Sequence, residues 1–152
     1  NKGLYRFSPG SQKFLTVKMR VPASVTDDKA EVTHFLQTSN GELLVSTWGR
    51  GIYSFDSSLK PAYTQYTTTG LATNYGMVWN MLERKNGDVW CAMQSGAVFI
   101  LTTDKKFIHL LPPAAEGHTI RQIKEDKNGN IWLGTHRGAV IQWKATDNSF
   151  TL

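Results

Sequence analysis

The stretch that decides the fold is IRQIKEDKNGNIWLGTHRGAVIQW, residues 120–143. It holds an Asn-Gly pair, Asn128-Gly129, between two runs rich in Ile, Trp, Leu and Val. Asn-Gly between apolar runs is the strongest short hairpin signal, because a type I′ turn needs positive φ at both central residues. The same pair recurs at Asn86-Gly87 and Asn40-Gly41, at spacings of 42 and 46 residues. Aligning the three segments on the glycine brings further columns into line. Nine residues before it stand Val32, Val78 and Ile120, and six before it Phe35, Met81 and Ile123. Three after it stand Leu44, Trp90 and Trp132, followed by Val45, Cys91 and Leu133, then Ser46, Ala92 and Gly134. A second glycine follows at Gly51, Gly96 and Gly138, with an apolar run behind it.

Each unit reads as four short strands. The first runs near 32–37, 78–83 and 120–125, and the second near 42–47, 88–93 and 130–135. The third runs near 51–55, 96–101 and 138–143, and the fourth near 62–67, 106–110 and 149–152. Val, Ile, Trp, Tyr and Thr dominate these stretches, as β-structure prefers. No stretch offers a helix of ten or more residues. GLYRFSPGSQKFLTV, residues 3–17, matches the third and fourth strands of an earlier unit.

Four-stranded units repeating every 42–46 residues predict an all-β chain of β-propeller blades. The reason is burial: one antiparallel meander cannot cover both its faces, whereas radial stacking covers each with a neighbour. The division is 1–20 for the end of a preceding blade, then blades at 32–67, 78–110 and 120–152. Ser46, Ala92 and Gly134 suit the crowding between tapered blades, and Trp90 and Trp132 are expected between blades as core. Cys91 shares a column with Val45 and Leu133 and reads as a buried, inert thiol. About three and a half repeats do not close a ring, since propellers take four to eight blades. The uncovered faces are therefore expected to pack on neighbouring blades or on a second copy of the chain. The chain starts at Asn1 without an initiator Met or targeting segment and reads as a piece of a longer protein.

Composition narrows the function. Seventeen basic and twelve acidic residues leave +5, with the basic residues dispersed and not clustered into a stripe, so nucleic acid is not an expected partner. No apolar run approaches the ~18 residues of a membrane span, the longest candidate being AVFILT at 97–102, so no membrane contact by this segment is expected. One cysteine excludes an internal disulfide. His34, His109, His118 and His136 are scattered, no GxSxG or phosphate loop occurs, and no metal or cofactor is expected. Glu125 and Asp126 precede an Asn-Gly turn, which fits turn chemistry better than acid–base work. No catalytic residue is assigned.

Meander topology places the turns between second and third strands on one face of the disc, together with the connections from one blade to the next. That face gathers Trp48 and Arg50, then Gln94, then His136 and Arg137, with Tyr75 and His118 from the connectors. Trp79 and Arg121 begin the innermost strands. Aromatic rings stack on the apolar faces of sugars, and planar donors and acceptors engage hydroxyls or carboxylates. These nine residues are the candidate ligand-binding set.

NGNIWLGTHRGAV at 128–140, preceded by IRQIKED, resembles the two-component regulator propeller repeat. So do GLYRF at 3–7, TWGRGIYSFD at 47–56, and the connector QYTTTGLATNYGMVWNMLE at 65–83. Leu44 in the first unit and CAMQSG in the second depart from the family pattern. The resemblance implies a segment of a larger, seven-bladed propeller in the periplasmic sensor region of a hybrid two-component system, attached elsewhere to a membrane helix and a histidine kinase. It also implies signal transduction without catalysis by this segment, in response to oligosaccharides from polysaccharide breakdown. Two other readings stand beside it: a glycan-active propeller enzyme (lyase or hydrolase) and a protein-docking propeller.

Overall fold

A computed structural model describes residues 4–17, 31–49, 51–66 and 77–152, with the backbone alone over 61–66. Three four-stranded antiparallel sheets and one two-stranded sheet account for the strands. The two-stranded sheet pairs β1 (Leu4–Ser8) with β2 (Lys13–Val17). The first full sheet runs β3 (Val32–Gln37), β4 (Leu43–Thr47), β5 (Gly51–Phe55) and β6 (Pro61–Tyr66). The second runs β7 (Val78–Glu83), β8 (Val89–Met93), β9 (Val98–Leu101) and β10 (Phe107–Leu110). The third runs β11 (Ile120–Glu125), β12 (Ile131–Thr135), β13 (Val140–Trp143) and β14 (Phe150–Thr151). Strands are hydrogen-bonded in chain order, so each sheet is a meander. Among the described residues the one helical element is a 3-10 turn at Pro113–Ala115. None is a helix long and apolar enough to cross a membrane.

The first strands of successive sheets touch: β3 lies against β7, and β7 against β11. This places a hub at the three first strands, with the sheets fanned outward from it. The arrangement is that of β-propeller blades.

The spaces between sheets are filled by apolar side chains of alternating strand positions. Leu44 and Ile52 of the first full sheet meet Met81, Cys91, Phe99 and Leu101 of the second. Trp90, Val98 and Ile100, on the opposite face of the second sheet, meet Ile123, Leu133, Ile141 and Trp143 of the third. Val45, Tyr53 and Phe55 pack on Leu4 and Val17 of the two-stranded sheet. Burying a Val, Leu or Ile side chain stabilises by roughly 1.5–3 kcal/mol, against about 0–1 for an exposed ion pair. The clusters therefore hold the sheets together, and the Lys105–Glu42 pair at 3.2 Å adds little.

A mostly buried polar contact between the second and third sheets does contribute. Arg84 of the second sheet donates from Nε to Glu125 Oε1 at 3.2 Å and from Nη2 to the Gly129 carbonyl at 2.9 Å, both in the third sheet. Its guanidinium lies 5.4 Å from the Trp90 ring centroid and 5.0 Å from that of Trp143. The clamp is charged, planar and mostly buried, which suits arginine and not lysine.

Two expectations need correction. The Asn-Gly pairs do mark hairpins, but not type I′ ones, since positive φ occurs at Gly41, Gly87 and Gly129 and not at the asparagines before them. Each is a three-residue loop. Thr38 N donates to Glu42 O and Gly41 N to Thr38 O, and the same two bonds recur at Arg84–Asp88 and Asp126–Asn130. That is a type I turn closed by a left-handed glycine. The second correction concerns Trp132. Trp90 is core, 2% exposed, but Trp132 in the same column is 41% exposed. Trp90 faces the third sheet, whereas Trp132 is on the face turned away from the second. Phe35 is 63% exposed for the matching reason: Met81 and Ile123 of its column pack on the preceding full sheet, and the two-stranded sheet offers no inner strand to Phe35.

Candidate ligand-binding face

One hydrogen bond recurs in all three blades and fixes which turns share a face. The residue after the second strand donates its N–H to the residue before the first: Trp48 to Glu31 O at 2.8 Å, Gln94 to Met77 O at 3.0 Å, His136 to Thr119 O at 2.9 Å. The β4–β5, β8–β9 and β12–β13 turns thus stand beside the entry of the hub strands, and the Asn-Gly turns stand at the far end.

A second feature also recurs. Pairing between first and second strands slips by one residue between Val32 and His34, between Val78 and Asn80, and between Ile120 and Gln122. Each slip is a β-bulge, which takes one residue out of the ladder and re-aims it. The displaced residues are Thr33, Trp79 and Arg121, one from each blade, in a row at the hub. Thr33 Oγ1 donates to Val78 O at 2.5 Å and lies 2.9 Å from Ser46 Oγ, tying the first bulge to the second blade. Trp79 meets Trp48 edge-to-face, with centroids 5.4 Å apart and planes at 90°. Arg121 lies over the Trp79 ring, its guanidinium carbon 3.8 Å from the centroid. Asn80 Nδ2 donates to the Arg121 carbonyl at 3.3 Å, which fixes the backbone under this stack.

Beside this staircase lie two imidazoles. His118 and His136 have centroids 6.1 Å apart, with planes at 59°. The connector carrying His118 is seated on the β8–β9 turn by Gly117 N, which donates to Ser95 O at 3.1 Å, and is folded on itself by His118 N, which donates to Ala115 O at 2.8 Å. Gly96 permits this seat, since a Cβ there would stand 1.7 Å from the Ala115 carbonyl oxygen. Thr119 Oγ1 donates to Gln94 O at 3.0 Å, joining the connector to the same turn.

Three buried polar atoms on this face, Trp79 Nε1, Gln94 Oε1 and His118 Nδ1, lack a hydrogen-bond partner among the described residues. Buried polar atoms are nearly always paired, so three such atoms on one face give it hydrogen-bonding capacity to spare. Arg121 has no carboxylate or hydrogen-bond partner for its side chain among the described residues, in contrast to Arg84. Trp48 is 45% exposed, and Arg121, His136 and Arg137 are exposed.

Of the nine residues predicted for this face, the structure brings Trp48, Trp79 and Arg121 into one stack, and His118 and His136 into a pair with Gln94 alongside. Arg137 stands next to His136 at the tip of the β12–β13 turn. Arg50 and Tyr75 lie outside the described residues. The sequence reading missed Thr33 and Asn80 as members of this network. Their signal was present: apolar residues at the first and fourth positions of each hub strand break the two-residue period of a strand, as one inserted residue would.

Among the described residues no three His, Cys, Asp or Glu side chains are grouped to hold a metal. Burial pushes the Cys91 thiol up to about 12, so it is unreactive. The three bulge positions hold Thr, Trp and Arg, not the opposed carboxylates that glycoside chemistry requires.

The sheets and their shared hub define a segment of a β-propeller, and comparison with known proteins agrees. Residues 116–137 match the sequence profile of the two component regulator propeller. The chain is similar to the extracellular domain of the hybrid two component system BT3049 from B. thetaiotaomicron, at 28% identity and a TM-score of 0.74, covering 98% of this chain and 20% of that one. It also shares its fold with the extracellular domain of BT4673 from the same organism, at 16% identity and TM-score 0.70, covering 99% and 19%. A further fold match is PorZ of Porphyromonas gingivalis, at 14% identity and TM-score 0.63, covering 97% and 24%. The chain thus spans about a fifth of the two extracellular domains it matches. A search of curated proteins finds no match.

Proposed function

We propose that this chain is a non-catalytic sensing segment of a periplasmic two-component sensor, and that its Trp48 face binds an oligosaccharide. The observation that carries the reading is the row of bulged hub residues ending in the Trp48–Trp79–Arg121 stack. A bulge repeated in three blades costs ladder hydrogen bonds each time, and such features concentrate beside functional sites. Here it delivers an aromatic pair, a cation and nearby unpaired donors and acceptors to one face, the mixture that sugars require. The 28% identity to the BT3049 extracellular domain and the regulator-propeller profile support the sensor context and a kinase elsewhere in the full protein. Signalling then needs no chemistry at the propeller. A ligand that prefers one arrangement of the sensor shifts the population toward it by its differential affinity.

The test is calorimetric titration of the chain with a panel of neutral and acidic oligosaccharides. At least one sugar is expected to bind, and Trp48→Ala is expected to weaken it about tenfold or more, as loss of a central aromatic contact does. Binding that is indifferent to Trp48→Ala would remove the face from consideration.

A further inference from the structure

Resting on the sugar-binding reading, we infer that the ligand of this face is an anionic sugar, whose carboxylate or sulfate is received by Arg121. The argument starts from the contrast between two arginines in the same three-blade body. Arg84 is packed against Trp90 and Trp143 and uses its N–H groups on Glu125 and the Gly129 carbonyl. Arg121 is also seated on an indole, closer still at 3.8 Å, yet no described residue accepts from its guanidinium. An arginine on a flexible surface normally loses entropy for little return when it is fixed in place. Arg121 is held through its cation–π contact and by the Asn80 bond to its carbonyl, with the fork of N–H donors left over. That fork is planar and matches an oxyanion, most closely in bidentate geometry.

The geometry also divides the work between the two indoles. Arg121 covers one face of Trp79, so that ring serves as the seat of the cation and the edge partner of Trp48. The ring left half-exposed is Trp48, which is where a pyranose stacks. The occupant is therefore a sugar ring on Trp48 whose acidic substituent reaches Arg121. His118 and His136 on the same face contribute further N–H or N groups for hydroxyls. The described acidic residue in this connector is Glu116, which is exposed and two residues from His118.

The experiment compares three probes by calorimetry: digalacturonate, which carries carboxylates; neocarrabiose sulfate, which carries a sulfate; and neutral galactobiose. The expected result is that at least one anionic probe binds five- to tenfold tighter than galactobiose. In Arg121→Gln that preference is expected to collapse to within about twofold, a charged hydrogen bond being worth roughly this much at an exposed site. Arg121→Lys keeps the charge without the fork and is expected to retain only part of the preference. Which anionic probe responds identifies carboxylate or sulfate as the group received. Far-UV circular dichroism of the variants confirms the strands are intact. If galactobiose binds as tightly as both anionic probes, or the preference survives Arg121→Gln, the inference is overturned while sugar binding at Trp48 stands. If neither anionic probe binds, the inference is overturned, whereas the sugar-binding reading falls only if the whole oligosaccharide panel also fails to bind.

Discussion

The guanidinium of Arg121, from the third blade, rests 3.8 Å from the ring of Trp79, from the second. Both residues are the displaced members of β-bulges at the same position of their hub strands. Their contact is thus produced by the repeat: two neighbouring copies of one backbone irregularity, filled by an aromatic in one and a cation in the next. Trp79→Ala removes the seat of Arg121 and the edge partner of Trp48. We expect a stability loss of about 1–2 kcal/mol, from one aromatic pair and one exposed cation–π contact. Thermal unfolding followed by circular dichroism should show a Tm lower by a few degrees, and the near-ultraviolet signal of the Trp48–Trp79 pair should disappear.

Arg84 has the opposite role and a different expectation. It is bound to Glu125 and Gly129 and packed on Trp90 and Trp143, so Arg84→Ala leaves a mostly buried carboxylate without its cation. Breaking one partner of such a pair is expected to cost about 2–4 kcal/mol. Urea unfolding should show a lower midpoint, and Arg84→Lys should recover only part of it. Sugar binding at the opposite end of the hub strands should be unaffected in the fraction that remains folded.

Gly96 tests the seating of the His118 connector. Its φ of +87° and the 1.7 Å approach of a built Cβ to the Ala115 carbonyl both exclude a side chain. Gly96→Ala must displace the connector or strain the turn, and we expect a loss of about 2–3 kcal/mol. Gly138, with a similar φ of +85° but nothing near a built Cβ, is the control. Gly138→Ala should cost clearly less, about 1 kcal/mol from backbone strain alone.

Acid should loosen the third blade at its Asn-Gly turn. Trp132 Nε1 donates to Asp126 Oδ2 at 3.0 Å, and Asn130 and Asn128 N–H groups donate to the same carboxylate. The Trp132 bond, ahead of the Asn130 bonds, holds its carboxyl down at about 2. A depressed carboxyl contributes stability that is present above the ordinary value near 4 and lost as pH falls toward 2. Fluorescence of Trp132, read in a variant with the other tryptophans replaced by Phe, should therefore change between about pH 4 and pH 2. Asp126→Asn should remove the transition from that window.

Much of this fold was legible in the residues because each blade repeats the same solution. Val32, Val78 and Ile120 start strands at the positions the columns predict, and Gly41, Gly87 and Gly129 close the hairpins that follow. The turn type was not legible, because Asn before Gly serves a type I turn with a left-handed glycine as readily as a type I′ turn. Trp132 shows a different limit. Its column says that it lies between blades, and burial further requires a neighbour on that side. For the site, topology alone placed Trp48, Trp79, Gln94, His118, Arg121 and His136 on one face. It could not show that Arg121 stacks on Trp79, since that depends on the bulge. The three-residue apolar spacing from Val78 to Met81 and from Ile120 to Ile123 recorded that bulge.

The five tryptophans offer the most direct measurement, since each indole N–H reports from a different place. In a heteronuclear correlation spectrum of the 15N-labelled chain, titration with a binding oligosaccharide should shift the indole signals of Trp48 and Trp79. Those of Trp90 and Trp143, inside the interblade core, and of Trp132, at the outer face of the third blade, should stay in place. Shifts confined to Trp132, or equal movement of all five, would contradict binding at the hub face.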